Sequence, residues 1–373
     1  MEKASVSNDL KNIHLYNFHK AHGAKFAPFA GFNMPISYSN GIINENFHVR
    51  KKAGVFDVSH MGQIIIEYNE TNILNLEKFI PLQLKKISTY RSYYSFLLNS
   101  SAGIIDDIII TKIDLGDKIY FFIVYNASRK EIVQTIFKKY LTNISVIQDR
   151  CLFAIQGPLS FHTLSKILNI NEKMKFLDFK IINYNNKNMY ISRSGYTGED
   201  GFEISILKED SENLISKLIK SDDIILCGLG SRDSLRLEAG LSLYGNELNE
   251  NITPIEANLL WAVDLQRLKS SNLNGNKYLT SQIKSLPKIK KIGITAINKI
   301  MMRNNMDILD INNNIIGNIT SGGFSPNLSK SIAIGYIKRD FDHINKLFCK
   351  VRNNLEPLTI TKLPFVKKNY KKE

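Results

Sequence analysis

Three β-prone runs in quick succession constrain this chain most. Tyr93–Leu98, Ile104–Lys112 and Lys118–Tyr125 are rich in aromatic and β-branched residues, with turn signals at Asn99–Gly103 and Asp114–Asp117 between them. Connections that short join neighbouring strands antiparallel, so the stretch predicts a meander. Helical spacing surrounds it, over His14–Ala21, Asn44–Ala53, Ala127–Leu141, Leu159–Leu168 and Ser211–Ile219, and a further helix begins near Ser231 after the Gly228–Gly230 turn. Between these lie strands at Val55–Ser59, Gln63–Glu67, Cys151–Ile155, Ile181–Tyr184, Asn188–Ser192 and Gly201–Ile206. The result is mixed α+β. At 373 residues the chain has room for two or three cores. A Lys-, Ser- and Pro-bearing stretch, Ser281–Lys291, reads as a linker into a mostly β remainder.

Several classes are set aside by composition. With 43% hydrophobic and 23% charged residues, the chain is neither disordered nor fibrous. No apolar run approaches the ~18 residues of a membrane helix. Met1–Leu15 carries no targeting pattern, so a cytoplasmic location is expected. Cys151, Cys227 and Cys349 are odd in number, far apart and never C-x-x-C, which argues for small buried hydrophobes. His14, His19 and His22 lack a metal-binding spacing and no carboxylate joins them in sequence, so no metal is expected. The net charge of +14 suits an anionic partner, yet the lysines are scattered and only Lys367–Lys372 is dense, which reads as a solvated tail. No nucleic-acid partner is expected.

Three segments carry chemistry. In Gly103–Ile110 two adjacent carboxylates, Asp106 and Asp107, interrupt an apolar strand; neighbours point to opposite faces, so one faces a core or cavity and the other solvent or a sheet partner. An acid among apolar groups must find a donor or sit near-neutral as a proton carrier. In Arg193–Glu203, three glycines permit close backbone approach, and Glu203 with flanking aromatics suits a planar heterocycle bearing N–H groups. Cys227–Gly240 imitates a dinucleotide fingerprint but has Asp233 at the third glycine position; what remains is a turn feeding a helix, with Arg232 able to face an anion and Arg236 and Glu238 read as solvated charges. His60, beside Met61, reads as a core histidine that could line a site.

Taken in order, the blocks PFAGFNMPISY (28–38), VFDVSHMGQI (55–64), GIIDDIII (103–110), QGP (156–158), SGYTGEDGFEI (194–204), GLGSRDSLRLEAGLSLYG (228–245) and TSGGFSPNLSKSIAIGYI (320–337) resemble the aminomethyltransferase family of the glycine cleavage system. The resemblance runs from about His14 to the C-terminus. It implies a three-domain cloverleaf around a central folate cavity. Residues 1–60 with 145–270 would form the first α+β domain, 61–144 a second inserted in it, and 285–373 a C-terminal β-barrel-like domain. It further implies transfer of a methylene from the aminomethyl group on lipoylated H protein to tetrahydrofolate, with ammonia released and neither metal nor flavin required.

Carried over by position, Asp107 is the catalytic carboxylate; Asn126, Glu203 and Arg232 hold the pterin, while Met61, Tyr94 and Tyr196 line the cavity. The chain departs from the family at Phe32, where many members have Trp, at Ser194, where Thr is usual, and in its Lys-rich C-terminus, which leaves the grip on the folate glutamate tail open. The related reading is a folate-dependent demethylase acting on a small methylated amine or sulfonium. The flavin-linked members carry a Gly-rich fingerprint, and the folate-binding proteins of iron–sulfur maintenance a cysteine-bearing K-G-C-Y-x-G-Q-E segment, neither of which is present.

Overall fold

The computed structural model describes residues 10–168, 170, 173–269, 272–341, 346–352 and 354–371. Met1–Asp9 of the Met1–Leu15 stretch read for targeting, His343 and Lys372 lie outside them.

The apolar runs form strands because each has two faces to bury. In Arg150–Gln156, Cys151, Phe153 and Ile155 pack into one core with Leu164, Leu214 and Leu218, while Leu152 and Ala154 pack on the other face with Val49 and Leu235. This strand is central in a six-stranded sheet ordered Phe179–Tyr184, Lys187–Ser192, Gly201–Leu207, Arg150–Gln156, Ala53–Asp57 and Ile224–Leu226, antiparallel except for the last pair. Helices Ser160–Ile167 and Lys208–Leu218 cover one face, and Gly41–Lys51 and Leu229–Glu238 the other.

The expected meander forms. Ser92–Leu98, Ile104–Asp114 and Ile119–Tyr125 pair in sequence, and Gly62–Glu67 and Ile144–Val146 complete a five-stranded sheet. Helices Glu70–Leu76 and Lys130–Tyr140 seal it around Ile64, Ile66, Ile110, Phe121 and Ile123. The chain therefore leaves the six-stranded sheet after Asp57, builds the five-stranded one, and returns at Arg150.

After Ile289 six strands close a barrel, so the β-rich remainder has no free sheet edge. The expected linker is narrower than Ser281–Lys291: helix Asn276–Ser285 enters it from one side and strand Ile289–Ala296 from the other. Ser, Lys and Ile there serve as helix and strand residues, and Pro287 marks the break.

The basic tail differs from its expectation as well. It is docked: Val366 and Asn369 donate backbone N–H groups to Glu238 and Gly198 carbonyls, and Tyr370 stacks on Phe176 at 4.2 Å. Lys367 and Lys371 stay exposed, because the backbone and aromatic ring make the attachment.

Candidate active site

The aspartate pair is reached through an irregularity in the meander. Leu97 pairs with Asp106 but Leu98 pairs with Ile104, so Ile105 is an extra residue and the strand twists there. Asn126 follows the last residue of the partner strand, Tyr125, which pairs with Ile108. Its Nδ2 donates to both Asp106 Oδ1 and Asp107 Oδ1 at 2.7 Å, and its backbone N–H donates to Asp106 Oδ2 at 3.0 Å. The Tyr94 hydroxyl donates to Asp107 Oδ2 at 3.1 Å.

Pairing is regular beyond Ile105, Leu97 with Asp106 and Phe96 with Asp107, so the two residues alternate as expected, Asp106 fully buried with Ile108 and Ile110 and Asp107 half-buried with Ile109; Asn126, just past the end of the partner strand, reaches both carboxyls. Burial, reinforced by the neighbouring charge of Asp107, pushes Asp106 up to about 8, against the bonds from Asn126 and the Arg129 guanidinium. Burial also raises Asp107, with Asn126 and Tyr94 opposing. Two carboxyls sharing one donor out of water do not both ionise readily, so the pair can hold a proton near neutrality.

A second group is built by the Arg193–Glu203 turn. Gly195 is required by contact: a Cβ there would lie 1.8 Å from Gln156 Oε1. Gln156 in turn donates to the Ser194 carbonyl at 2.9 Å and accepts from Thr197 Oγ1 at 3.0 Å, and Gly198 takes a φ of +83°. This fixes Tyr196, whose hydroxyl donates to the Ser242 carbonyl. Ser194 Oγ donates to Glu203 Oε2 at 2.6 Å.

The Arg232 guanidinium lies 4.9 Å over the Tyr196 ring. It comes from helix Leu229–Glu238, whose start is held by buried Glu45, an acceptor for Gly228 N–H at 2.9 Å and Ser231 Oγ at 2.7 Å. Burial lowers the Arg232 pKa, and the Glu203 charge opposes that. Its buried Nη1 has no hydrogen-bond partner among the described residues. Unpaired buried donors are costly, which makes Arg232 a candidate ligand contact.

The two groups meet electrostatically at Tyr196. Burial raises its phenol first, and the charges of Arg236, Asp107, Glu247 and Arg232 all reach it. Met61 packs, half-buried, against the core that holds Phe56, Val58 and Leu235. Its neighbour His60 is only 3% exposed, with Nδ1 unpaired, and is lowered to about 3 by burial and then the charge of Arg232. An open groove of about 670 Å³ lined by Ile42, Asn44, Asp233, Leu237 and Phe324 contains none of these residues. The orphaned donor and the carboxyl pair locate the chemistry better than its volume does.

Some sequence readings fail here. Arg236 and Glu238 are 1% and 0% exposed, not solvated. Arg236 reaches Glu247 at 3.0 Å and Ser321 at 2.8 Å; Glu238 accepts from Arg50 at 2.8 Å, Ser325 at 2.6 Å and Asn327 at 2.9 Å. The helix is enclosed by the barrel, which a helical charge pattern does not reveal. His19 does meet a carboxylate: its Nε2 is 2.9 Å from Asp57 Oδ2 and its Nδ1 2.8 Å from the Tyr38 hydroxyl. The partner lies 38 residues away, beyond a local scan. Among the described residues no group of three His, Cys, Asp or Glu is placed to hold a metal ion. The sequence reading also missed Asp106 as the proton-sharing partner and Trp261, which stacks on Tyr94 at 5.5 Å. As the chain's lone tryptophan, Trp261 was a signal in plain view.

Comparison with known proteins agrees with this architecture. A model of the GCVT N-terminal domain matches residues 15–267, and one of the glycine cleavage T-protein C-terminal barrel domain matches 290–367. Mitochondrial aminomethyltransferases of Flaveria anomala and Pisum sativum are each 36% identical, over 98% and 99% of this chain and 91% and 92% of theirs. The crystal structure of glycine cleavage system aminomethyltransferase T from Bartonella henselae superposes with a TM-score of 0.91 at 34% identity, covering 98% of this chain and all of that one.

Proposed function

The chain belongs to the glycine cleavage T-protein family, and from that premise we propose how its residues serve the reaction. It is a tetrahydrofolate-dependent aminomethyltransferase of the glycine cleavage system. The donor in this reading is the aminomethyl group held through sulfur on lipoylated H protein. Tetrahydrofolate supplies two nitrogens, one in the reduced pterin ring and one in the bridge to the benzoyl group, that bond the methylene carbon. The bonds from that carbon to sulfur and to the amine break, and the two N–H protons of the folate end on the thiol and on ammonia.

The observation that carries the reading is the carboxyl pair bridged by Asn126, open only at Asp107. Asp107 takes and returns a proton beside the folate nitrogens and offsets the positive charge that develops at the methylene. Asp106 stores the proton the pair shares. Groups so placed contribute about 10²–10⁴-fold. Tyr94 orients Asp107 through its hydroxyl.

Arg232 and Glu203 fit the two ends of a pterin's donor and acceptor pattern, since one offers a free N–H and the other a carboxylate. Tyr196 and Met61 supply apolar contact, and Asn126 holds the carboxyls in register. Most of the acceleration is positioning. No metal or flavin enters this scheme.

The same reading divides the chain into 1–60 with 145–270, 61–144 and 285–373, which the order of strands supports. It places the protein in the cytoplasm, or in the mitochondrial matrix of a eukaryotic source; no helix among the described residues is long and apolar enough to cross a membrane.

The test is tetrahydrofolate binding with wild type and Arg232→Met, followed by ammonia release from aminomethylated H protein. Loss of a charge-assisted contact predicts at least tenfold weaker folate binding. Equal affinity in the variant would remove Arg232 from the site, and a folded wild type that releases no ammonia would overturn the proposed donor.

A further inference from the structure

Trp261 is the only tryptophan in the chain and is 70% exposed. Its placement is fixed. It sits in a 3₁₀ turn, Leu260–Ala262, in which Ala262, like the preceding Leu259, is buried in the core shared with Phe96 and Ile104. Backbone bonds from Leu259 N–H to the Pro254 carbonyl at 2.7 Å and from Asp264 N–H to the Pro81 carbonyl at 2.8 Å tie the turn down on both sides. One face of the indole stacks on Tyr94, with 21° between the ring planes. Leu265, four residues on, is 55% exposed.

A large apolar ring held in water, with an exposed leucine four residues on, is the pattern of a contact surface awaiting a partner. Tyr94 links that surface to the chemistry, since its other end donates to Asp107. The position selects the partner's chemistry. Trp261 stacks on Tyr94 and Tyr94 bonds Asp107, so an arm resting on the indole lies within two side chains of the carboxyl; the matching chemistry is a ligand apolar along its length and reactive at its tip.

We propose that Trp261, with Leu265, is the landing surface for the hydrocarbon stem of the donor arm, on which methylenes and thioether sulfur pack while the aminomethyl end reaches Asp107. Sulfur and methylene groups pack favourably on aromatic faces. This rests on the reading that the donor is an arm carried by another protein. Trp261 is a positioning residue in this scheme, acting before the chemical step.

Ammonia release is measured against the concentration of aminomethylated, lipoylated carrier for wild type, Trp261→Ala and Trp261→Phe, with the KM for tetrahydrofolate alongside. Losing one anchoring aromatic predicts a carrier KM about tenfold higher in Trp261→Ala. The same comparison predicts recovery to within about twofold in Trp261→Phe, with the folate KM changing by less than about twofold in both. An unchanged carrier KM in Trp261→Ala, with wild type active, overturns the landing surface and leaves the enzyme reading standing. An inactive wild type strikes the enzyme reading itself.

The wild-type protein provides a second readout that no folding failure can obscure. Titrated with reduced lipoamide, Trp261 emission should shift saturably to the blue, whereas dithiothreitol, a dithiol without the stem, should leave it unchanged. No shift with lipoamide, or an equal one with dithiothreitol, counts against the proposal.

Discussion

Replacing Asp106 with Asn separates the shared proton from the rest of the site. Asp106 is fully buried and sits at about 8 in the folded protein. An unfolded aspartate titrates near 3.9, so between these values the folded state holds a proton that the unfolded chain has released. Stability must therefore fall as pH rises through that window. Four units at about 1.4 kcal/mol each set a ceiling of roughly 5–6 kcal/mol. Sharing of the proton with Asp107 and local relaxation bring the expected loss between about pH 5 and about pH 8 to roughly 2–3 kcal/mol.

The variant lacks this term but gives up one of the two acceptors facing Asn126, at about 1 kcal/mol. Asp106→Asn should thus be about 1 kcal/mol less stable than wild type near pH 5 and equal or more stable near pH 8. Urea unfolding followed by circular dichroism across that range reads the crossover. Parallel stability curves for the two proteins would refute the idea that the pair is strained by its own charge.

Other outcomes follow from the packing. Glu238→Gln should cost about 3 kcal/mol, because buried Arg50 keeps Glu199 but loses the carboxylate that also joins Asn327 and Ser325; urea titration checks it. Gly195→Ala drives a methyl group into Gln156 and should lower stability by about 2 kcal/mol, with folate affinity falling further than in Glu238→Gln because Tyr196 is displaced; calorimetric folate titration of both variants separates the effects.

The legible parts of the structure are those in which sequence neighbours do the work. The meander was readable because Ile104–Asp114 and its partners carry their own apolar runs and turns. The helix after Gly228 was readable because its turn is local, and the order of motif blocks carried the family resemblance. What escaped depends on distant partners. Arg236 reads as a surface charge until Ser321, 85 residues later, closes over it; Glu238 likewise waits for Ser325 and Asn327. Strand alternation places Asp106 on the buried face and Asp107 on the more open one, as the structure has them; what stayed hidden is that Asn126, just past the end of the partner strand, bonds both carboxyls. Arg232 could be placed on its helix from sequence, but its unpaired Nη1 exists only once Tyr196 is folded beneath it.

The central claim is that Asp107 carries the proton traffic of methylene transfer. Ammonia release from aminomethylated H protein, measured with and without tetrahydrofolate in wild type and Asp107→Asn, tests it most directly. The account predicts folate-dependent release in wild type, a fall of about 10²-fold or more in the variant, and folate binding retained within about threefold. A variant that binds folate and releases ammonia at the wild-type rate would contradict it.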